Sequence, residues 1–199
     1  EITTRLVGSE MCIRDRVSIP HDAKSRNGGV MYTDYALGRF FAEASKQPWF
    51  ANTIFLITAD HCASSAGRTE IPLEKYHIPA LIYAPGFVEP QHVGGIVSQI
   101  DLMPTLLSLL NMSYDSHFYG RSIYDEGYVN RAFIATYQDL GYLEGDVFTI
   151  LSPVRRFEQY RVVPTEDNPH NLEPMETENP EQVSRAIGYY QTSSAWNKR

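Results

Sequence analysis

An α/β domain, with a mostly parallel sheet sandwiched by helices, is the fold class this sequence predicts, and three observations predict it. Thr53–Ala59 and Ile78–Tyr83 are short, continuous apolar runs, the pattern of strands buried on both faces. Segments of helical period lie on either side, Met31–Lys46 before them and Pro104–Leu110 after them. The long polar loop Asp60–His77 separates the two runs. Helix, strand, loop, strand, helix is the rhythm of such a domain.

Each element has a local reason. In Met31–Lys46, Tyr32, Tyr35, Ala36, Phe40 and Ala44 recur at helical spacing, and Pro48 marks the end because proline disfavours helix at the residue before it. Thr53–Ala59 is β-branched and unbroken, so it is expected to be an interior strand. Ile78–Tyr83 is closed by Ala84-Pro85-Gly86. Asp101 lies at the start of the helix that Pro104 opens, where a carboxylate suits the free amides, so a capping role is expected for it. After Gly120 the character changes. Ala132–Tyr137, Val147–Leu151 and Phe157–Val163 read as short strands, with Glu144-Gly145-Asp146 as a hairpin turn. Pro164–Pro180 is acidic, proline-rich and extended in expectation, and Asn179-Pro180-Glu181 caps a final helix toward Trp196.

This divides the chain into an α/β part at 17–120, a small antiparallel appendage at 121–163 and a tail with a terminal helix at 164–199. Residues 1–16 have no hydrophobic period. Leu6–Arg16 resembles translated adapter sequence, so this segment is expected to be non-native and Cys12 to carry no role.

Bulk properties exclude some functions. The 199 residues are 43% hydrophobic and 21% charged, which suits a globular protein. A net charge of −7 gives no basic face for nucleic acid. No apolar run approaches the roughly 18 residues that span a bilayer. Cys12 and Cys62 are the two cysteines, too few for a disulfide framework and not spaced as a zinc ribbon.

The chemistry-bearing residues gather after the first apolar run. Asp60-His61 stands at its C-terminal end, the edge of an open α/β sheet where ligands bind. There the chain turns, so adjacent side chains can converge on one ion. A carboxylate oxygen with an imidazole nitrogen favours Mn, Zn or Fe over Ca or Mg. Taken alone, the same dipeptide also reads as a cap or a hydrogen-bonded turn.

Thr53–His61, Tyr76–Gly86 and Ser98–Leu107 occur in order, and together they closely resemble the C-terminal half of the sulfatase-like domain of the alkaline phosphatase superfamily. The lipoteichoic-acid synthase and phosphoglycerol transferase group is nearest, since it also shows a helix like Tyr32-Thr33-Asp34-Tyr35-Ala36. The resemblance covers roughly Ile19 to Leu151. It implies an alkaline phosphatase-like fold, N-terminally truncated, and a divalent metal on Asp60 and His61. Manganese is usual in the transferase group, with zinc, magnesium or calcium as alternatives. The catalytic nucleophile belongs to the N-terminal half of such domains and has no matching position here, so that half is an expected partner.

By the same resemblance Arg68 contacts an anionic phosphodiester or sulfate ester, including a membrane lipid headgroup; His77, placed just before the second strand where it can face the metal, is the other substrate-binding candidate. A solvated loop charge and a loop hydrogen bond are the simpler readings of these two. Cys62 reads as a packed small residue. The implied function is phosphoglycerol transfer from a lipid headgroup, with the catalytic domain outside the cell at the membrane. Sulfate or phosphate ester hydrolysis, or a non-catalytic module binding anionic glycans, are the alternatives.

Overall fold

The computed structural model describes residues 26–61 and 71–196. The adapter-like segment 1–16, Cys62 and Arg68 lie outside the described residues. Two compact units share the chain. The first, Glu1–Ile54 with Ala84–Phe87, carries helix α1 (Arg26–Ala44) and the 3-10 turn Phe50–Asn52. α1 stops four residues short of Pro48, and its end unwinds through Ser45 N–H to Phe41 O and Gln47 N–H to Ala44 O, each 2.9 Å.

The second unit, Phe55–Tyr83 with Val88–Arg199, holds every strand among the described residues. Strands β1 (Phe55–Thr58) and β2 (Ala80–Tyr83) pair antiparallel, Phe55 opposite Tyr83 and Thr58 opposite Ala80. This corrects two expectations. Both apolar runs are strands of an α/β protein, but among the described residues every strand pairing is antiparallel. Nor is Thr53–Ala59 an interior strand: β1 has β2 as its partner in a two-stranded sheet and is only half-buried. A parallel pair needs a crossover, usually a helix, to return the chain to the starting edge. In the described part of the connection, 71–79, the only helix is the single 3-10 turn Leu73–Lys75.

A five-stranded meander forms most of the core. β3 (Arg131–Ala135), β4 (Leu140–Glu144), β5 (Val147–Ser152), β6 (Arg156–Val162) and β7 (Leu172–Pro174) lie side by side in chain order. The alternation of a pleated strand divides their residues between two faces. Ala132, Ile134, Leu143, Phe148, Ile150, Tyr160, Val162 and Leu172 pack with Ile71, Leu73 and Tyr76 on one face. Helix α3 (Pro180–Trp196) meets the other, where Tyr189 stacks on Phe133 and Tyr142 at 5.0 and 5.5 Å. Asn179 Oδ1 accepts from Gln182 N–H at 3.1 Å, so the asparagine before Pro180 caps this helix as expected. Gln182 Nε2 donates to Val147 O and fastens the helix to β5. Gly141 is the one residue that fits beneath Phe148: a Cβ there would stand 2.8 Å from the ring.

Helix α2 (Leu102–Leu109) is joined to this sheet by charge. Asp101 does not cap it. The backbone there is helical, and the carboxylate turns away from the helix amides. Oδ1 accepts from Arg121 N–H at 2.8 Å and Arg131 Nη2 at 3.2 Å, while Oδ2 accepts from Tyr128 Oη at 2.9 Å and Arg131 Nη1 at 3.2 Å. Arg131 is the first residue of β3, and its guanidinium lies over the rings of Phe133, Tyr189 and Tyr128 at 5.4 to 5.7 Å. Both partners are buried, Asp101 completely. Thr105 Oγ1 donates to Asp101 O and accepts from Ile123 N–H, and a Cβ on Gly120 would sit 2.0 Å from Ile100 O. The 120–123 segment is thereby pressed onto the first turn of α2.

Two predictions follow from these contacts. Removing one charge of the buried pair leaves the other without compensation, so Asp101→Ala or Arg131→Met should each cost about 3–5 kcal/mol. Asp101→Ala/Arg131→Met together should cost less than the sum of the singles, read from denaturant midpoints in a double-mutant cycle. The second concerns alkali. Burial pushes Tyr190 up to about 12 while its hydroxyl donates to Gly141 O and Ile134 O. Burial also raises Tyr128 and Tyr142, aided by the carboxylates of Asp101 and Glu144. An unfolded tyrosine ionises near its ordinary 10, so the stabilisation is complete below that pH and is lost as pH rises through the folded values. Stability should fall between about pH 9.5 and 11.5, less steeply in Tyr190→Phe, as urea melts across that range would record.

Candidate metal centre

The site begins where β1 ends. Thr58 faces Ala80 across the ladder, and Ala59 N–H donates to Pro79 O at 3.3 Å, carrying the pairing one step further. Thr58 Oγ1 donates to the carbonyls of Ala59 and Pro79, each at 3.2 Å. The next two residues leave the strand, so Asp60 and His61 no longer alternate across it. Asp60 Oδ1 accepts from His61 N–H at 2.9 Å, a local turn bond. The other oxygen, Oδ2, lies 3.4 Å from His61 Nε2. Both side chains are open to solvent, Asp60 at 86% and His61 at 75%.

A hydrogen-bonded turn and a convergent donor pair are therefore both present. They are compatible, because the turn uses one carboxylate oxygen and the pair uses the other. Two donors each about 2.1 Å from one ion at a tetrahedral angle stand about 3.4 Å apart. The oxygen–nitrogen pair thus has a spacing that two ligands of one divalent ion can share. Among the described residues, no group of three or more His, Cys, Asp and Glu side chains is arranged to hold a metal. Asp60 and His61 thus stand as a pair, with no third such side chain beside them among the described residues.

Behind the turn stands a residue to which sequence reasoning assigned nothing. Gln99 Nε2 donates to Ala59 O at 3.0 Å and approaches Asp60 O at 3.5 Å. Its only sequence signal was its place two positions before Asp101.

The other expected site residues divide. Arg68 is outside the described residues. His77 precedes β2 at the end of the hairpin that carries Asp60 and His61, and it is exposed. Its ring meets that of His170 edge-on at 5.3 Å, and the structure does not join it to the Asp60–His61 pair in a three-ligand group.

Comparison with known proteins places this arrangement. Arylsulfatase K of Gallus gallus is 27% identical over 96 residues, 46% of this chain and 18% of the relative. The solved structure of a protein in the alkaline phosphatase superfamily from Vibrio parahaemolyticus matches with a TM-score of 0.79 at 30% identity, over 92% of this chain and 44% of that one. The chain thus spans less than half the length of either. The sequence model of the sulfatase family matches residues 7–112, the segment that contains α1, the β1–β2 hairpin with Asp60 and His61, and α2, and the chain belongs to that family.

Proposed function

We propose that the full-length protein is a metal-dependent enzyme that cleaves an anionic ester, with Asp60 and His61 as two of the metal ligands. The observation that carries this is the approach of Asp60 Oδ2 to His61 Nε2 at 3.4 Å on an open strand end, in a chain of the sulfatase family. Enzymes of this superfamily generally use divalent metals. When bound, such an ion neutralises the ester's charge and activates an oxygen nucleophile. Asp60 supplies one negative charge toward that ion and His61 a neutral nitrogen, while the Ala59–Pro79 contact holds the turn that aims them. The nucleophile and remaining ligands come from sequence outside this chain. Arg68 and His77 meet the anionic ester, the guanidinium fork suiting two of its oxygens.

The preferred reaction is transfer of phosphoglycerol from a lipid headgroup phosphodiester to an acceptor, with manganese as the ion and the catalytic domain outside the cell at the membrane. It is supported by the ordered segments Thr53–His61, Tyr76–Gly86 and Ser98–Leu107 and by the Tyr32–Ala36 helix. No helix among the described residues is long and apolar enough to cross a membrane. A second reading, hydrolysis of sulfate esters, is favoured by the identity to an arylsulfatase.

Kinetics of the full-length protein with manganese separate the two, using a phosphatidylglycerol-type phosphodiester and an aryl sulfate as alternative substrates. Turnover of the phosphodiester with glycerophosphoryl transfer is expected; turnover of the aryl sulfate alone would favour the second reading. Asp60→Asn and His61→Ala should each lower metal content and kcat by more than about a hundredfold, since even groups that merely orient ligands are worth about 10–100-fold. Arg68→Ala should keep the metal and raise KM about tenfold, the loss of one charge-assisted hydrogen bond. Full occupancy and near-native rates in both Asp60→Asn and His61→Ala would end the ligand assignment.

A further inference from the structure

We infer that Gln99 is a positioning residue for the metal-ligand turn, an inference that rests on the assignment of Asp60 and His61 as ligands. Asp60 is exposed and lies past the last ladder pair, so the peptide planes on either side of it bear directly on where its carboxylate points. On the side toward β1, Ala59 N–H and Thr58 Oγ1 both reach Pro79 O. Beyond that the ladder stops. The carbonyls of Ala59 and Asp60 are the next groups along the chain, and Gln99 Nε2 faces both, at 3.0 and 3.5 Å. A primary amide has two N–H groups, so one nitrogen can serve two carbonyls. Rotation of either peptide plane would break one of these bonds and swing the following side chain.

The amide can do this because its own base is fixed. Gln99 opens the 3-10 turn Gln99–Asp101, in which Asp101 N–H donates to Ser98 O at 2.9 Å. Two residues on, the Asp101 carboxylate is fully buried and takes four hydrogen bonds, two of them from Arg131. Gln99 is itself exposed, and a hydrogen bond in contact with water adds little to stability. Its effect is on geometry. A rigid anchor places a donor against the backbone of the ligand pair, and the cost of loosening it falls on metal binding more than on folding.

The test is Mn2+ binding to the full-length protein by calorimetric titration at 25 °C without substrate, alongside melting temperatures. Gln99→Met keeps the length and removes the donor. Gln99→Glu keeps the length and turns acceptor oxygens toward the two carbonyls. Both should weaken Mn2+ binding by about tenfold, with the melting temperature lowered by no more than about 4 °C. Unchanged affinity in both variants would overturn the inference. So would tighter binding in Gln99→Glu beside wild-type binding in Gln99→Met, because added charge alone does that. A loss of affinity only in step with a large drop in melting temperature would reduce Gln99 to a structural staple. Asp60→Asn in the same titration keeps the two ideas apart. If it binds Mn2+ normally, the ligand assignment falls and Gln99 with it; if it loses the ion while both Gln99 variants retain it, only the positioning role falls.

Discussion

The buried pairing of Asp101 with Arg131 is the constraint on which the rest of the second unit depends. Two opposite charges out of water are costly, and their attraction offsets that cost only when the remaining lone pairs and protons are also met. Here Asp101 is fully met, by a backbone amide, a phenol and a two-pronged guanidinium. Arg131 is met less completely, because its Nε has no partner and three aromatic rings stand where further acceptors would be. What the pair supplies is direction. It ties the start of α2, the 120–128 segment and the start of β3 to one point, and hydrophobic contact alone would leave those three free to slide.

Stability and chemistry occupy different places in this unit. The largest fully buried side chains among the described residues, Tyr142, Phe148, Thr105, Thr149 and Asp101, belong to the meander and to the α2 junction. Asp60 and His61 stand on a two-stranded hairpin with solvent around them. Two links join the regions. Residues 71–76 leave the hairpin loop and enter the core beneath the meander, and Gln99 reaches from the α2 junction to the strand end. The Asp60–His61 turn is thus held from both sides by elements rooted in the buried part of the unit.

What could be read from the sequence was what is local. The cap at Asn179, the turn at Gly145 and the position of both apolar runs depend on neighbours a few residues away, and they are found where expected. The adjacency of Asp60 and His61 was legible for the same reason. Strand direction was not. An unbroken apolar run carries no information about which way its partner points, and here it did not report full burial either, so a half-buried antiparallel hairpin passed for part of a parallel sheet. β4 was missed because Gly141 interrupts its pattern, although that glycine exists to admit Phe148. Asp101 was misread because a carboxylate before a helix has an obvious local use, while its actual partner lies 30 residues away. Gln99 had no local pattern to betray it.

The placement of α3 bears on how the chain is made. Gln182, Val183 and Ala186 complete the buried set on one face of the meander, and Tyr189 covers Phe133 and Tyr142 there. All of these follow the strands they cover. At about 5–20 residues per second, a ribosome needs about 2–7 s to travel from the end of β6 to the end of α3. Throughout that interval the aromatic face that α3 will cover stands bare. A newborn chain is therefore open to sticky encounters there until α3 is made, and a chaperone or a slow codon acting at that stage would shelter the sheet until its own helix arrives.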